Sequence, residues 1–170
     1  MYPDELLDLT TELIRLYRQY DLKIATAESC TGGLIAGCLT AVAGSSEVFE
    51  RGFNTYSNEA KSELLGIPPE IIAENGAVSQ EIAIAMAEST LARAPVDLTV
   101  SVTGIAGPGG GSSDKPVGTV HLASAFVDHP TIHECRVFPG DRNQVRMATV
   151  KAALEIMLRQ VSNLKVSIPD

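Results

Sequence analysis

Three small polar residues, Ser29, Cys30 and Thr31, run into Gly32-Gly33 between a strand-like stretch, Lys23–Ala27, and an apolar helix-like stretch, Leu34–Thr40. A strand that turns into a helix this way ends at free backbone N–H groups and the positive end of the helix dipole. Both suit an anion or a developing oxyanion. Ser29 and Cys30 are nucleophiles in waiting, each in need of a proton acceptor. The plain alternative is a helix cap made by Ser29 or Thr31. A second turn of the same kind, Thr103-Gly104-Ile105-Ala106-Gly107, follows the apolar stretch Asp97–Val102. A third hydroxyl pair, Ser45-Ser46, sits in Ala43-Gly44-Ser45-Ser46-Glu47, where a cap is the default reading.

The proton acceptor is the harder residue to find. His121, His129 and His133 lie far in sequence from these turns and read as surface or edge-strand residues. Lys61 falls in the first turn of a helix predicted over Ser57–Leu65. There the dipole disfavours the ammonium, and burial would lower its pKa further, so a neutral amine could take a proton from a serine. A solvated surface lysine is the competing reading. Tyr56 precedes that helix and could orient Lys61 or touch substrate. Glu28 could pair with Lys61 or bind a ribose hydroxyl. Cys30 is the rival nucleophile, because a helix N-terminus lowers a thiol pKa. Arg142 or Arg146, in the last helix, could supply positive charge to a phosphate.

These residues need a scaffold. An amphipathic helix is predicted over Asp4–Gln19, and strands over Lys23–Ala27, Gly52–Tyr56, Asp97–Val102, Thr119–Val127 and His133–Phe138. Further helices are expected over Leu34–Thr40, Ser57–Leu65, Pro68 to Asn75, and Gln80–Arg93. A final helix is expected from a cap at Asp141 to about Gln160. Helices alternate with strands early and two strands adjoin late. That pattern predicts a three-layer α/β/α sandwich with a mixed, mostly parallel central sheet. One domain over residues 1–162 and a loose tail over 163–170 are expected. Ligands in such sheets sit beyond the carboxyl ends of strands, so the two hydroxyl-glycine turns would line one crevice if their strands are parallel neighbours.

Composition narrows the partners. The 170 residues carry 13 Lys+Arg against 21 Asp+Glu, a net charge of −8, which speaks against nucleic-acid or anionic-membrane binding. No apolar run approaches the roughly 20 residues that span a bilayer, and the N-terminus lacks the pattern of a signal peptide. Three cysteines, an odd number in no zinc-like spacing, suggest free thiols in a reducing cytoplasm. A P-loop, a Gly-x-Ser-x-Gly elbow and a His-Glu-x-x-His helix are all missing.

Several stretches together resemble the CinA C-terminal domain family, the stand-alone nicotinamide-nucleotide amidases. They are Thr26–Gly33, Ala43–Ser46, Phe49–Phe53, Thr55–Lys61, Gly76–Ser79, Thr103–Pro108, Lys115–Val120 and Phe138–Arg142, in order across about residues 5–160. The resemblance implies hydrolysis of the carboxamide of nicotinamide mononucleotide to nicotinate mononucleotide and ammonia. It implies an α/β fold, often dimeric, with no required metal or other cofactor. It also implies a serine–lysine pair: Lys61 with either Ser29 or Ser46, and Tyr56 adjacent. The expected substrate contacts are Glu28, Cys30, Thr31, Gly32, Gly33, Ser45, Thr103, Gly104, Ile105, Ala106, Gly107 and Arg142. A cysteine amidase using Cys30, and a non-catalytic nucleotide-binding module, stand as alternatives.

Overall fold

The structure, a computed structural model, describes the backbone of residues 2–165 and the side chains of 2–162; of the expected tail, 166–170 lie outside the described residues and 163–165 are described in backbone alone. Five strands form one sheet: β1 (Ile24–Glu28), β2 (Phe49–Asn54), β3 (Leu98–Gly104), β4 (Thr119–Phe126) and β5 (Ile132–Val137). Their order is β2-β1-β3-β4-β5. β1 pairs parallel with both β2 and β3, while β3–β4 and β4–β5 are antiparallel. Four strands thus run the same way and β4 alone opposes them. This is the expected mixed sheet.

Six helices cover it: α1 (Asp4–Gln19), α2 (Leu34–Thr40), α3 (Asn58–Leu65), α4 (Pro69–Asn75), α5 (Gln80–Arg93) and α6 (Arg142–Lys165). α1, α2 and α6 pack on one face through Leu13, Tyr17, Ile35, Leu39, Leu154 and Met157. α3, α4 and α5 pack on the other through Leu65, Ile72, Ile82 and Met86. Alanines at 83 and 87 bring α5 close to the sheet. There, Thr99 and Ser101 of β3 donate to the carbonyls of Ala87 and Ala83 at 2.8 and 2.6 Å. Hydroxyls buried on the sheet face thereby satisfy themselves on the helix that covers them.

Several boundaries differ from expectation, β1, β3 and β4 by one or two residues at an end. β2 starts at Phe49 rather than Gly52 and stops at Asn54, leaving Thr55 and Tyr56 beyond it. It is an edge strand with Glu50 and Arg51 exposed, so it carries no apolar alternation to mark its start. β5 begins and ends one residue early, at Ile132 and Val137. α6 continues past Gln160 to Lys165, since Ser162 and Asn163 do not stop a helix already packed on the core. Its start is as expected: Asp141 accepts from the Gln144 N–H at 2.9 Å and the Gln144 side chain accepts from Asp141 N–H at 2.7 Å. That is a reciprocal cap.

Candidate active site

The carboxyl ends of the three parallel strands meet at one edge, and the loops leaving them build a cleft of about 200 Å³. Ser29 follows β1. Its N–H donates to Val102 of β3 at 3.0 Å, and its carbonyl accepts from Gly32 at 3.1 Å, so the residue is tied to the sheet on one side and to its own turn on the other. Thr55, just past β2, donates its N–H to the Glu28 carbonyl at 2.8 Å. Ser57 caps α3 by accepting from the Ala60 N–H, which sets the helix so that Lys61 points inward. Lys61 is 1% exposed.

The Lys61 amine has three neighbours: Ser29 Oγ at 3.2 Å, the Thr55 carbonyl at 3.0 Å and the Ser57 carbonyl at 3.4 Å. Burial holds its pKa below the ordinary lysine value, and Cys30 and the Glu59 carboxylate only partly oppose that. A neutral amine has two N–H donors and one lone pair. Two carbonyls take the donors, and the lone pair is left facing the Ser29 hydroxyl.

The two expected turns do share the cleft. Ser29 and Cys30 line it from one side, and Thr103, Gly104 and Ala106 from the other. Tyr56 and Arg142 form its rim. An Arg142 N–H donates to the Tyr56 hydroxyl at 2.7 Å and another to the Gly107 carbonyl at 2.8 Å. Gly104 has little room for a side chain, because a Cβ there would stand 2.7 Å from Val120 Cγ2. Arg146 instead donates to the Thr31 carbonyl at 2.8 Å, behind the turn.

Several expected contacts are corrected. Ser45 and Ser46 begin a 3-10 turn, Ser45–Glu47, just ahead of β2. They lie at the opposite edge of the sheet, about 20 Å away for a strand of this length; Glu47 beside them pairs with Arg18. Glu28 neither pairs with Lys61 nor lines the cleft. Its buried carboxylate accepts from Thr31 Oγ1 at 2.7 Å and from the N–H groups of Gly33, Ile35 and Ala36 at 3.0, 3.0 and 2.8 Å. The N-terminus of α2 is therefore filled from within, and Thr31, Gly32 and Gly33 shape the turn rather than face a ligand. Gly32 and Gly33, at φ 61° and 95°, are the left-handed residues the turn requires. Cys30 is 6% exposed, and burial pushes its thiol up to about 12, against the lowering expected from a free helix end. Ile105 spends its N–H on Thr119 and its carbonyl on Gly118. The Thr103 hydroxyl donates to Ala77 at 2.6 Å.

Sequence reasoning missed Asn58, Ala77 and Val78, which also line the cleft. Asn58 stands three residues before Lys61 on the same helix, a spacing that puts both on one side. Ala77 and Val78 carry no chemistry to notice.

A model of the CinA C-terminal domain matches residues 6–161. A putative competence-damage inducible protein of Caldicellulosiruptor bescii is 50% identical over 149 residues, 88% of this chain and 36% of that protein. The chain thus spans little more than a third of that relative. The nicotinamide-nucleotide amidohydrolase PncC of Escherichia coli is 44% identical over 160 residues, 94% of this chain and 97% of that protein. The crystal structure of competence/damage inducible protein CihA from Agrobacterium tumefaciens has a TM-score of 0.91 at 46% identity, covering 95% of this chain and 98% of that one.

Proposed function

The chain belongs to the CinA C-terminal domain family, and on that premise we propose that it hydrolyses the carboxamide of nicotinamide mononucleotide, giving nicotinate mononucleotide and ammonia. Ser29 is the nucleophile and Lys61 its base. The observation that carries this reading is the 3.2 Å contact between Lys61 Nζ and Ser29 Oγ at a buried position opening on the cleft. The E. coli relative named as a nicotinamide-nucleotide amidohydrolase, matched over nearly its full length, supports the substrate.

Lys61 takes the Ser29 proton as Oγ attacks the amide carbon. The carbonyl oxygen becomes an oxyanion beside the Cys30 N–H, a donor that Glu28 does not claim. The Lys61 ammonium then protonates the departing nitrogen, and ammonia leaves an acyl-serine. Water, deprotonated by the same amine, attacks the ester and restores Ser29. The cleft holds the amide-bearing ring. Arg142, at the rim, meets the phosphate, exchanging its bond to Tyr56 for a charge-assisted one. The reading extends to a cytoplasmic homodimer. The free cysteines support the compartment, and the family resemblance supports the dimer, which light scattering would measure.

Ammonia release from nicotinamide mononucleotide by the purified chain tests the scheme. Ser29→Ala and Lys61→Ala should each lose at least about a thousandfold in kcat, and Ser46→Ala should stay within about twofold, as surface changes do. Full release by Lys61→Ala would end the scheme. Binding of the mononucleotide without turnover by the unaltered chain would replace it with a non-catalytic module.

A further inference from the structure

Away from the cleft, three side chains with chemistry of their own meet on the α5-facing side of β4 and β5. His121 and Cys135 are register partners across that strand pair, and His133 precedes Cys135 by two residues on the same face. The two imidazole rings are nearly parallel, 24° apart, with His121 Nδ1 3.0 Å from His133 Nε2. The other nitrogen of His121, Nε2, lies 3.6 Å from Cys135 Sγ. Cys135 is exposed, whereas Cys30 and Cys38 are buried. The nitrogens bond along a chain rather than converge on a point. Among the described residues no such group could hold a metal ion.

One tautomer set gives this chain a direction. His121 donates Nδ1–H to His133 Nε2, which leaves the Nε2 lone pair of His121 facing the thiol. The surroundings of both rings favour the neutral form. Burial, the neighbouring His133 ring and the Lys115 amine hold His121 below the ordinary histidine value, and Glu81 of α5 only partly offsets them. Burial does the same to His133, against Glu81 and Glu134. An exposed thiol, an imidazole free to accept its proton, and a second ring fixing the tautomer are the parts of an activated nucleophile.

We propose that Cys135 is a thiol-modification site for small disulfides, with His121 as its proton acceptor and His133 as the positioning residue. His121 Nε2 takes the Cys135 proton. Sγ attacks one sulfur of the disulfide, the S–S bond breaks, and a mixed disulfide forms on Cys135. The departing thiolate takes the proton from His121. The incoming disulfide is the oxidant, so electrons and protons balance.

The probe is 2,2′-dithiodipyridine applied to the intact chain, with thiopyridone release followed by absorbance and the labelled cysteine mapped by mass spectrometry. A fast phase of one thiol is expected, mapped to Cys135 and removed by Cys135→Ser. In the unaltered chain its rate should level off by about pH 7, just above the histidine range. His121→Gln should slow it about tenfold or more at pH 7. An unaltered chain whose rate climbs like a simple thiol would overturn the proposal. That profile decides the matter even if His121→Gln does not fold. Fast labelling mapped to Cys30 or Cys38 would overturn it equally.

Discussion

The base proposed for the cleft, Lys61, owes that role to burial. Its amine rests on two backbone carbonyls and one hydroxyl, with no carboxylate in bonding reach among the described residues. Burial holds its folded-state pKa below the value it has in the unfolded chain. Two consequences follow with fixed sign. The amidase rate, kcat/KM, should rise with pH through a value under about 10.4 and then level off; a profile still climbing at that point would show that Lys61 is an ordinary surface amine. Stability behaves in parallel. Between the folded and unfolded values the unfolded chain binds more protons, so raising the pH through that window stabilises the native state. Urea unfolding of the unaltered chain and of Lys61→Met over pH 7 to 10 should give a stability difference that moves in favour of lysine as pH rises. Parallel curves would refute the burial argument.

At the scale of elements, α2 depends on a single carboxylate. Glu28 ends β1, yet its oxygens receive three N–H groups of the next helix and the Thr31 hydroxyl. Glu28→Gln keeps the shape but turns an N–H₂ group against those donors. A loss of about 2–3 kcal/mol is expected from buried donors left unpaired, read by urea unfolding. The turn carrying Ser29 would loosen with it, so kcat should fall while KM for the nucleotide stays near its usual value. A change confined to KM would return Glu28 to the substrate-contacting role that its sequence position suggests. This residue also marks where sequence reading stops. The strand–turn–helix unit, the Asp141 cap and the neighbouring of β4 and β5 were all legible, because periodicity and capping are local. The pairing of Ser29 rather than Ser46 with Lys61 was not. It depends on β1 and β2 running parallel, which puts Ser29, after β1, and Ser46, before β2, at opposite strand ends. Glu28 looked like a polar group aimed outward from a turn, and only the packing of α2 over β1 folds its carboxylate back.

For the molecule as a whole, charge sets the terms on which an anionic substrate arrives. The chain carries a net charge of −8, and under the proposed function a mononucleotide phosphate would approach the cleft rim, where Arg142 stands. The two effects differ in range. Repulsion by the whole surface acts over the Debye length, about 30 Å at 0.01 M salt and 8 Å at 0.15 M. A direct Arg–phosphate contact is short and screened far less. Adding salt between those limits should therefore remove more repulsion than attraction, and KM for the mononucleotide should fall by about twofold as the screened surface field weakens. The corresponding riboside, which lacks the phosphate, should show no salt dependence. Arg142→Gln should raise KM for the mononucleotide about tenfold, the loss of a charge-assisted bond, at every salt concentration. It should leave the riboside unchanged, because Arg142 touches Tyr56 and Gly107 but neither Ser29 nor Lys61. A mononucleotide KM that rises steeply with salt would mean that a positive field beyond Arg142 guides the phosphate, and an equal loss for riboside and nucleotide in Arg142→Gln would make the arginine a brace of the rim instead of an anion contact.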